Sequence, residues 1–192
     1  MNDVTIFEKP CEVMADRVFY QNKRAGWWID FDRPIKQLLQ LVSSEICEAT
    51  EAFRKDLMDD KLPHHKGEYV ELADTAIRLY DISGRYNMTF PLTDIPVTIP
   101  SYICPSELHW WITESLVEFK RKVFPFDRQP AIDYRSELAG REVKKLLTRI
   151  YAVAEERGCD NFAQIIEEKI EFNTLRKDHQ LSERRKKNGK KI

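Results

Sequence analysis

The sequence predicts an all-α fold, a helical bundle built around two antiparallel helices. Three observations lead there. Between Ile35 and about Leu57, the residues Leu38, Leu41, Val42, Ala49 and Ala52 recur at helical spacing and form one apolar stripe. From about Tyr134 to Arg157, Leu138, Val143, Leu146, Leu147, Ile150, Val153 and Ala154 do the same. Between such stretches, proline and glycine punctuate the chain at 63–67, 91–105, 125–130 and 158, where regular helix is interrupted.

Taken in order, residues 1–10 read as a lead-in ending at Pro10. Val13, Val18 and Phe19, with Met14 nearby, predict a short helix over Glu12–Lys23, ended by Arg24-Ala25-Gly26. Trp27 and Trp28 follow, in a turn that continues through Asp30, Asp32 and Pro34. Neighbouring residues cannot share one face, so one indole is expected in the core and the other at a surface or pocket wall. Asp32-Arg33-Pro34 fits the start of the first main helix, with proline in the first turn. That helix should run to about Leu57. A polar loop, 59–67, carries His64 and His65 between Pro63 and Gly67. With no third ligand at useful spacing, the two histidines read as surface loop. The second main helix is expected from Gly67 to Gly84 or Asn87.

From Thr89 to Ser106 four prolines enforce an extended segment. A helix over about Glu107–Lys122 bears Trp110, Trp111, Leu116 and Phe119, and residues 124–130 break it. The long helix comes next. Gly158 ends it, and Asp160 or Asn161 is expected to cap the helix starting at Phe162. The chain thus divides into one domain over 1–180 and a basic tail over 181–192 that is expected to be disordered. The last 17 residues hold eight Lys or Arg, read as a solubilising tail rather than a nucleic-acid contact.

Composition excludes several classes. With 42% apolar and 33% charged residues among 192, the chain is globular in character, and a formal net charge of −1 gives no general attraction to nucleic acid. No apolar run approaches a bilayer span. Met1-Asn2-Asp3-Val4-Thr5 has neither the basic region nor the apolar core of a signal peptide, so a cytoplasmic address is expected. Cys11, Cys47, Cys104 and Cys159 are scattered without metal spacing and read as thiols in a reducing compartment.

The chemistry concentrates in two acidic pairs, Glu45-x-x-Glu48 and Glu71-x-x-Asp74, one on each main helix. Residues three apart on a helix are surface neighbours, so each pair aims two carboxylates one way. Two helices side by side can bring all four together. Glu45 falls inside the apolar stripe and Glu48 on its edge, and a buried carboxylate is costly unless paired or metal-bound. Glu71, Asp74, Arg78 and Asp81 share one face of the second helix, with Tyr69, Ala73, Ala76, Ile77 and Tyr80 opposite. Four hard oxygen ligands suit Mg2+ or Mn2+ better than zinc. The same spacing also arises by chance in any glutamate-rich helix as solvated salt-bridge partners.

The run Ser44-Glu45-Ile46-Cys47-Glu48-Ala49-Thr50-Glu51-Ala52-Phe53-Arg54-Lys55, a spacer of 22 residues from Glu48 to Glu71, and Glu71-Leu72-Ala73-Asp74-Thr75-Ala76-Ile77-Arg78-Leu79 closely resemble the all-α NTP pyrophosphohydrolases of the MazG type. That family's signature is E-x-x-E, a spacer, then E-x-x-D. A second piece, Lys169-Ile170-Glu171-Phe172-Asn173-Thr174-Leu175-Arg176 with the trailing His179, resembles the family's C-terminal K-x-x-Y/F-N-x-x-R run. Lys169, Asn173 and Arg176 lie at i, i+4 and i+7, a basic and amide face suited to phosphate oxygens. The resemblance implies a Mg2+-dependent reaction, with Mn2+ as substitute: a nucleoside triphosphate, deoxy forms included, is hydrolysed to the monophosphate and pyrophosphate. It makes Glu45, Glu48, Glu71 and Asp74 the metal ligands. One of them, Glu48 for instance, would orient the attacking water, although spacing does not choose it. Gln21, Asn22 and Trp28 become candidates for the base pocket, and Lys55 joins Lys169 and Arg176 as a phosphate candidate. Arg78 and Asp81 would orient the site from behind. A homodimer or dimer of dimers is implied as well.

Compact family members pass almost directly from the E-x-x-D helix to the K-N-R helix. Here 89–157 intervenes. This helical insertion could complete the bundle, take the place of a partner's helices, or cover the pocket. One rival from another class is a catalytically silent helical binding module, which would lose nothing when Glu45 or Asp74 becomes alanine. A di-iron bundle is set aside, because none of His64, His65, His109 and His179 has a glutamate three residues before it.

Overall fold

The computed structural model describes residues 7, 9–28, 33–93, 95–125, 132–177 and 181–184. Over these the chain is all-helical: α1 (Cys11–Arg24), α2 (Ile35–Lys55), α3 (Gly67–Arg85), α4 (Pro105–Val123), α5 (Ile132–Glu156), α6 (Phe162–Leu175) and a single turn, α7 (Leu181–Arg184). No strand occurs among the described residues, only an isolated bridge between Met58 and Lys66 that closes the α2–α3 loop. None of the described helices is long and apolar enough to cross a membrane. The expectations placed on Asp30, Asp32, residues 126–130, His179 and the tail beyond 184 lie outside the described residues, whereas 181–184, expected within a disordered tail, form the helical turn α7 and bring Leu181 and Ser182 against the residues of α1 and α6.

The bundle is organised around α3. Buried residues fall on every side of it, from Val70, Leu72 and Ala73 to Ile77, Leu79, Tyr80 and Ile82. α3 is wrapped by α1, α2, α5 and α6, and the expected division into two faces holds apart from half-buried Tyr69: Glu71, Asp74, Arg78 and Asp81 line one cleft together, while Ala73, Ala76, Ile77 and Tyr80 are buried. Helix α2 runs antiparallel to it. A Cβ on Gly67, at the start of α3, would lie 3.0 Å from the Cβ of Ala52 near the end of α2. Glu45, about two turns earlier, meets Arg78 further along α3. Helix α4 packs on α2 and α5, and α5 packs on α3, so the insertion completes the bundle within this chain. Its extended lead-in is fastened by the buried Lys144 of α5, whose Nζ donates to the carbonyls of Pro91 (3.0 Å) and Thr93 (3.1 Å).

Three local expectations are corrected. On α1, Met14 is buried and Val13 is exposed; on α5, Leu138 is exposed while Val143 to Ala154 keep the predicted stripe. Asn161 occupies the position before α6 but its side chain does not cap it; its Oδ1 instead lies 3.8 Å from Cys159 Sγ. Gly158 ends α5 as expected, with a left-handed φ of 87° that L-residues rarely adopt. All four cysteines are free thiols, Cys11 and Cys159 buried, Cys47 and Cys104 exposed.

A buried polar knot ties four elements together. Arg157, just past α5, donates from Nε to Glu68 Oε1 of α3 at 2.9 Å, and His109 Nε2 of α4 lies 3.2 Å from the same oxygen. The other ring nitrogen of His109, Nδ1, is 3.0 Å from Thr50 Oγ1 on α2. Burial pushes the Glu68 carboxyl up, but hydrogen bonds from His109 and Arg157 outweigh it and hold the group below the usual range.

Candidate metal and nucleotide site

Glu45 points from α2 across to α3 and is 6% exposed. Its Oε1 accepts from Arg78 Nε and Nη2, both at 2.5 Å, so the carboxylate in the apolar stripe is paired as its burial demands. One oxygen each from Glu45, Glu71 and Asp74 gathers within 4.8 Å of the others. From α6, Lys169 reaches the same point: its Nζ lies 3.0 Å from Asp74 Oδ2, on a side chain 1% exposed. Neither that Nζ nor the buried Asn173 Oδ1, one turn on, has a hydrogen-bond partner among the described residues.

The electrostatics follow from crowding like charges in a half-dry cleft. Burial, then the charge of Asp74, push the Glu71 carboxyl up to about 8, with Lys169 opposing. Burial also raises Glu45, against the pull of Arg78. Once all three carboxylates are ionised they outnumber the two facing cations, Lys169 and Arg78, and a divalent cation would neutralise the excess. The donors are all hard oxygens, and the buried Lys169 ammonium faces them, ion-paired with Asp74. The residues present fit Mg2+ or Mn2+.

The cleft has a volume of about 330 Å3, and the residues lining it include Glu45, Glu48, Glu71, Asp74, Arg78, Asp81, Asn173 and Arg176. Glu48 is exposed and stands outside the tight trio. A second cavity, of about 420 Å3, shares Asn22, Ile77 and Asn173 with the first and adds Gln21, Val18 and Ile170. Lys169, Asn173, Arg176, Gln21 and Asn22 are therefore all brought to this face. Nothing from 89–157 lines either cavity.

Two expected residues go elsewhere. Lys55 is exposed near the end of α2 and bonded to Glu51, away from the cleft. Trp28 is buried with its Nε1 donating to Asp81 Oδ1 at 2.9 Å, and it is Trp27 that lines the cleft, beneath the Arg33 and Arg78 guanidiniums. Asp81 is half-buried at the edge of the cleft, and burial pushes its carboxyl up to about 7 despite the hydrogen bonds from Trp28 and Asn22. Lys61, from the α2–α3 loop, also lines the cleft. Nothing in its local sequence marks it, because its place depends on how the loop returns. That loop holds one more correction. His64 and His65 do have a third potential ligand, Glu168 of α6, which lies 104 and 103 residues further along the chain. No family model, curated protein or solved structure matches the chain.

Proposed function

We propose that this chain is a Mg2+-dependent nucleoside triphosphate pyrophosphohydrolase, cleaving ribo- or deoxynucleoside triphosphates to the monophosphate and pyrophosphate. The observation that carries the reading is the convergence of Glu45, Glu71 and Asp74 from two helices on a point faced by the buried Lys169. It agrees with the order of motifs that resembles the MazG-type enzymes. Glu45, Glu71 and Asp74, with Glu48 at the rim, would hold the metal. Bound there, it would neutralise charge on the phosphate oxygens and lower the pKa of a water, easing its deprotonation for attack at the α-phosphorus.

The chain's own residues supply the rest. Arg78 fixes the Glu45 carboxylate, leaving its second oxygen for a ligand. Lys169, Arg176 and Lys61 surround the cleft with the positive charge that outer phosphates and departing pyrophosphate require. Asn173 lines both cavities, and a nucleotide spanning them would have its phosphates at the carboxylates and its base beside Gln21 and Asn22. Those amides offer both donors and acceptors to a base edge. The same reading carries a homodimer or dimer of dimers, checked by light scattering.

The test is pyrophosphate release from the common ribo- and deoxynucleoside triphosphates with Mg2+, comparing the wild type with Glu45→Gln and Asp74→Ala. Activity should fall in both by more than the roughly 10–100-fold typical of losing a residue behind the ligands. A folded wild type that releases no pyrophosphate from any of them, with Mg2+ or Mn2+, overturns the reading in favour of a silent binding module.

A further inference from the structure

We propose that His64, His65 and Glu168 form a second metal site, selective for a borderline transition-metal dication such as Zn2+, that clamps the α2–α3 loop to α6. Two imidazole nitrogens converge on one carboxylate oxygen: His64 Nε2 lies 2.9 Å and His65 Nε2 2.8 Å from Glu168 Oε2. All three ligand atoms fall within 4.8 Å of one another, and the ring centroids are 4.1 Å apart. Zinc takes such ligands at about 2.0–2.2 Å, so an ion among them needs only small side-chain rotations.

Consecutive residues rarely aim at one point, and the loop is built to make these two do so. Buried Asp59 accepts from the backbone N–H of Lys61 (2.9 Å) and of Leu62 (2.6 Å) through Oδ1. The N–H of His65 donates to the Leu62 carbonyl at 2.9 Å, and the His65 carbonyl accepts from Asp59 N–H at 3.0 Å. On the α6 side, Gln164 Nε2 donates to Glu168 Oε1 at 2.8 Å and fixes the carboxylate with its other oxygen towards the histidines. A polar neighbour that orients a ligand in this way is a regular part of metal sites.

Ligand chemistry separates the two sites. Imidazole suits zinc, cobalt, nickel and copper, whereas the all-carboxylate cleft suits magnesium. Location gives the second site its consequence. The loop that carries His64 and His65 also carries Lys61 into the cleft, and Glu168 precedes Lys169, which faces Asp74. A metal bridging loop and helix would hold both lysines over the carboxylates.

The experiment uses the full chain, stripped by chelator and titrated with Zn2+ in excess Mg2+, reading stoichiometry by equilibrium dialysis and melting temperature in parallel. The wild type should bind one equivalent and melt higher. His64→Ala and Glu168→Gln should each weaken binding by at least about tenfold and abolish the rise in melting temperature. His64 is 60% exposed, so its removal leaves the fold standing. Asp74→Ala should bind zinc as the wild type does, which separates this site from the pyrophosphohydrolase reading. The Co2+ form should show the intense visible bands of tetrahedral coordination, lost in His64→Ala. No zinc uptake by the wild type overturns the proposal. So does uptake unchanged in His64→Ala and Glu168→Gln but lost in Asp74→Ala.

Discussion

Glu71 is the residue on which the pH behaviour of the cleft turns. With its carboxyl pushed up to about 8, it is protonated at neutral pH in the metal-free protein. A metal must displace that proton, so Mg2+ affinity should rise roughly tenfold per pH unit below about 8 and level off above it. The sign for stability is the opposite. A carboxyl raised above its ordinary 4.5 favours the metal-free fold fully below that value, and the benefit is lost as pH rises through about 8. Lys169 opposes the shift, so Lys169→Met should move the midpoint of Mg2+ binding to higher pH and lower kcat/KM. Calorimetric Mg2+ titrations across pH on both proteins check this, and an unmoved midpoint would refute the coupling. The carboxylates and the Lys169 face were legible because each relation lies within one helix, where spacing fixes direction. Lys55 misled because position i+7 from Glu48 shares its face but lies about 10 Å further along the axis. The choice between Trp27 and Trp28 is set by the path of a turn, which no periodicity encodes.

At the scale of elements, the polar knot and one glycine hold the site's walls in register. Removing a buried partner strands the others, so Glu68→Ala should cost about 3–5 kcal/mol by urea unfolding, because Arg157 and His109 lose their shared acceptor. Activity per folded molecule should persist, since Glu68 lines neither cavity. The Glu68 carboxyl sits below its ordinary 4.5, so its contribution is present above that value and lost as pH falls through the lower, folded-state pKa. Gly84 does comparable duty between α1 and α3. A Cβ there would meet the Ala15 carbonyl oxygen and Phe19 Cβ, each at 2.5 Å. Gly84→Ala should therefore cost about 1–3 kcal/mol and, by pushing away the helix that bears Gln21 and Asn22, raise the nucleotide KM. Helix existence was legible wherever proline and glycine punctuate the stripe, and observed ends fall within about two residues of those expected. What escaped was rotation about the axis. Met14 rather than Val13 faces inward, and exposed Leu138 falls off the stripe, because neighbouring helices decide which edge is covered. The knot escaped for the same reason, joining residues from four separate elements.

For the whole molecule, the question left open by sequence was what 89–157 does. Its three readings differ only in which surface the amphipathic faces of α4 and α5 cover, and only tertiary contacts decide that. They cover α2 and α3 behind the site, and their side chains merge into one apolar core running from Phe7 to Ile170. An insertion that merely lidded a finished bundle would melt on its own. One that supplies the far wall of α3 cannot, because on coming away from α3 its own Leu146, Leu147, Ile150 and Val153, all fully buried or nearly so, would face water, at about 2 kcal/mol each. The tryptophans report on both halves: Trp27 and Trp28 beside the cleft, Trp110 and Trp111 on α4. Two variants, each keeping one pair and replacing the other with phenylalanine, should give urea midpoints by fluorescence that coincide with each variant's own far-UV circular dichroism. A Trp110–Trp111 transition preceding the loss of helicity would make the insertion a separate unit, and the walls of the cleft would then have to stand without it.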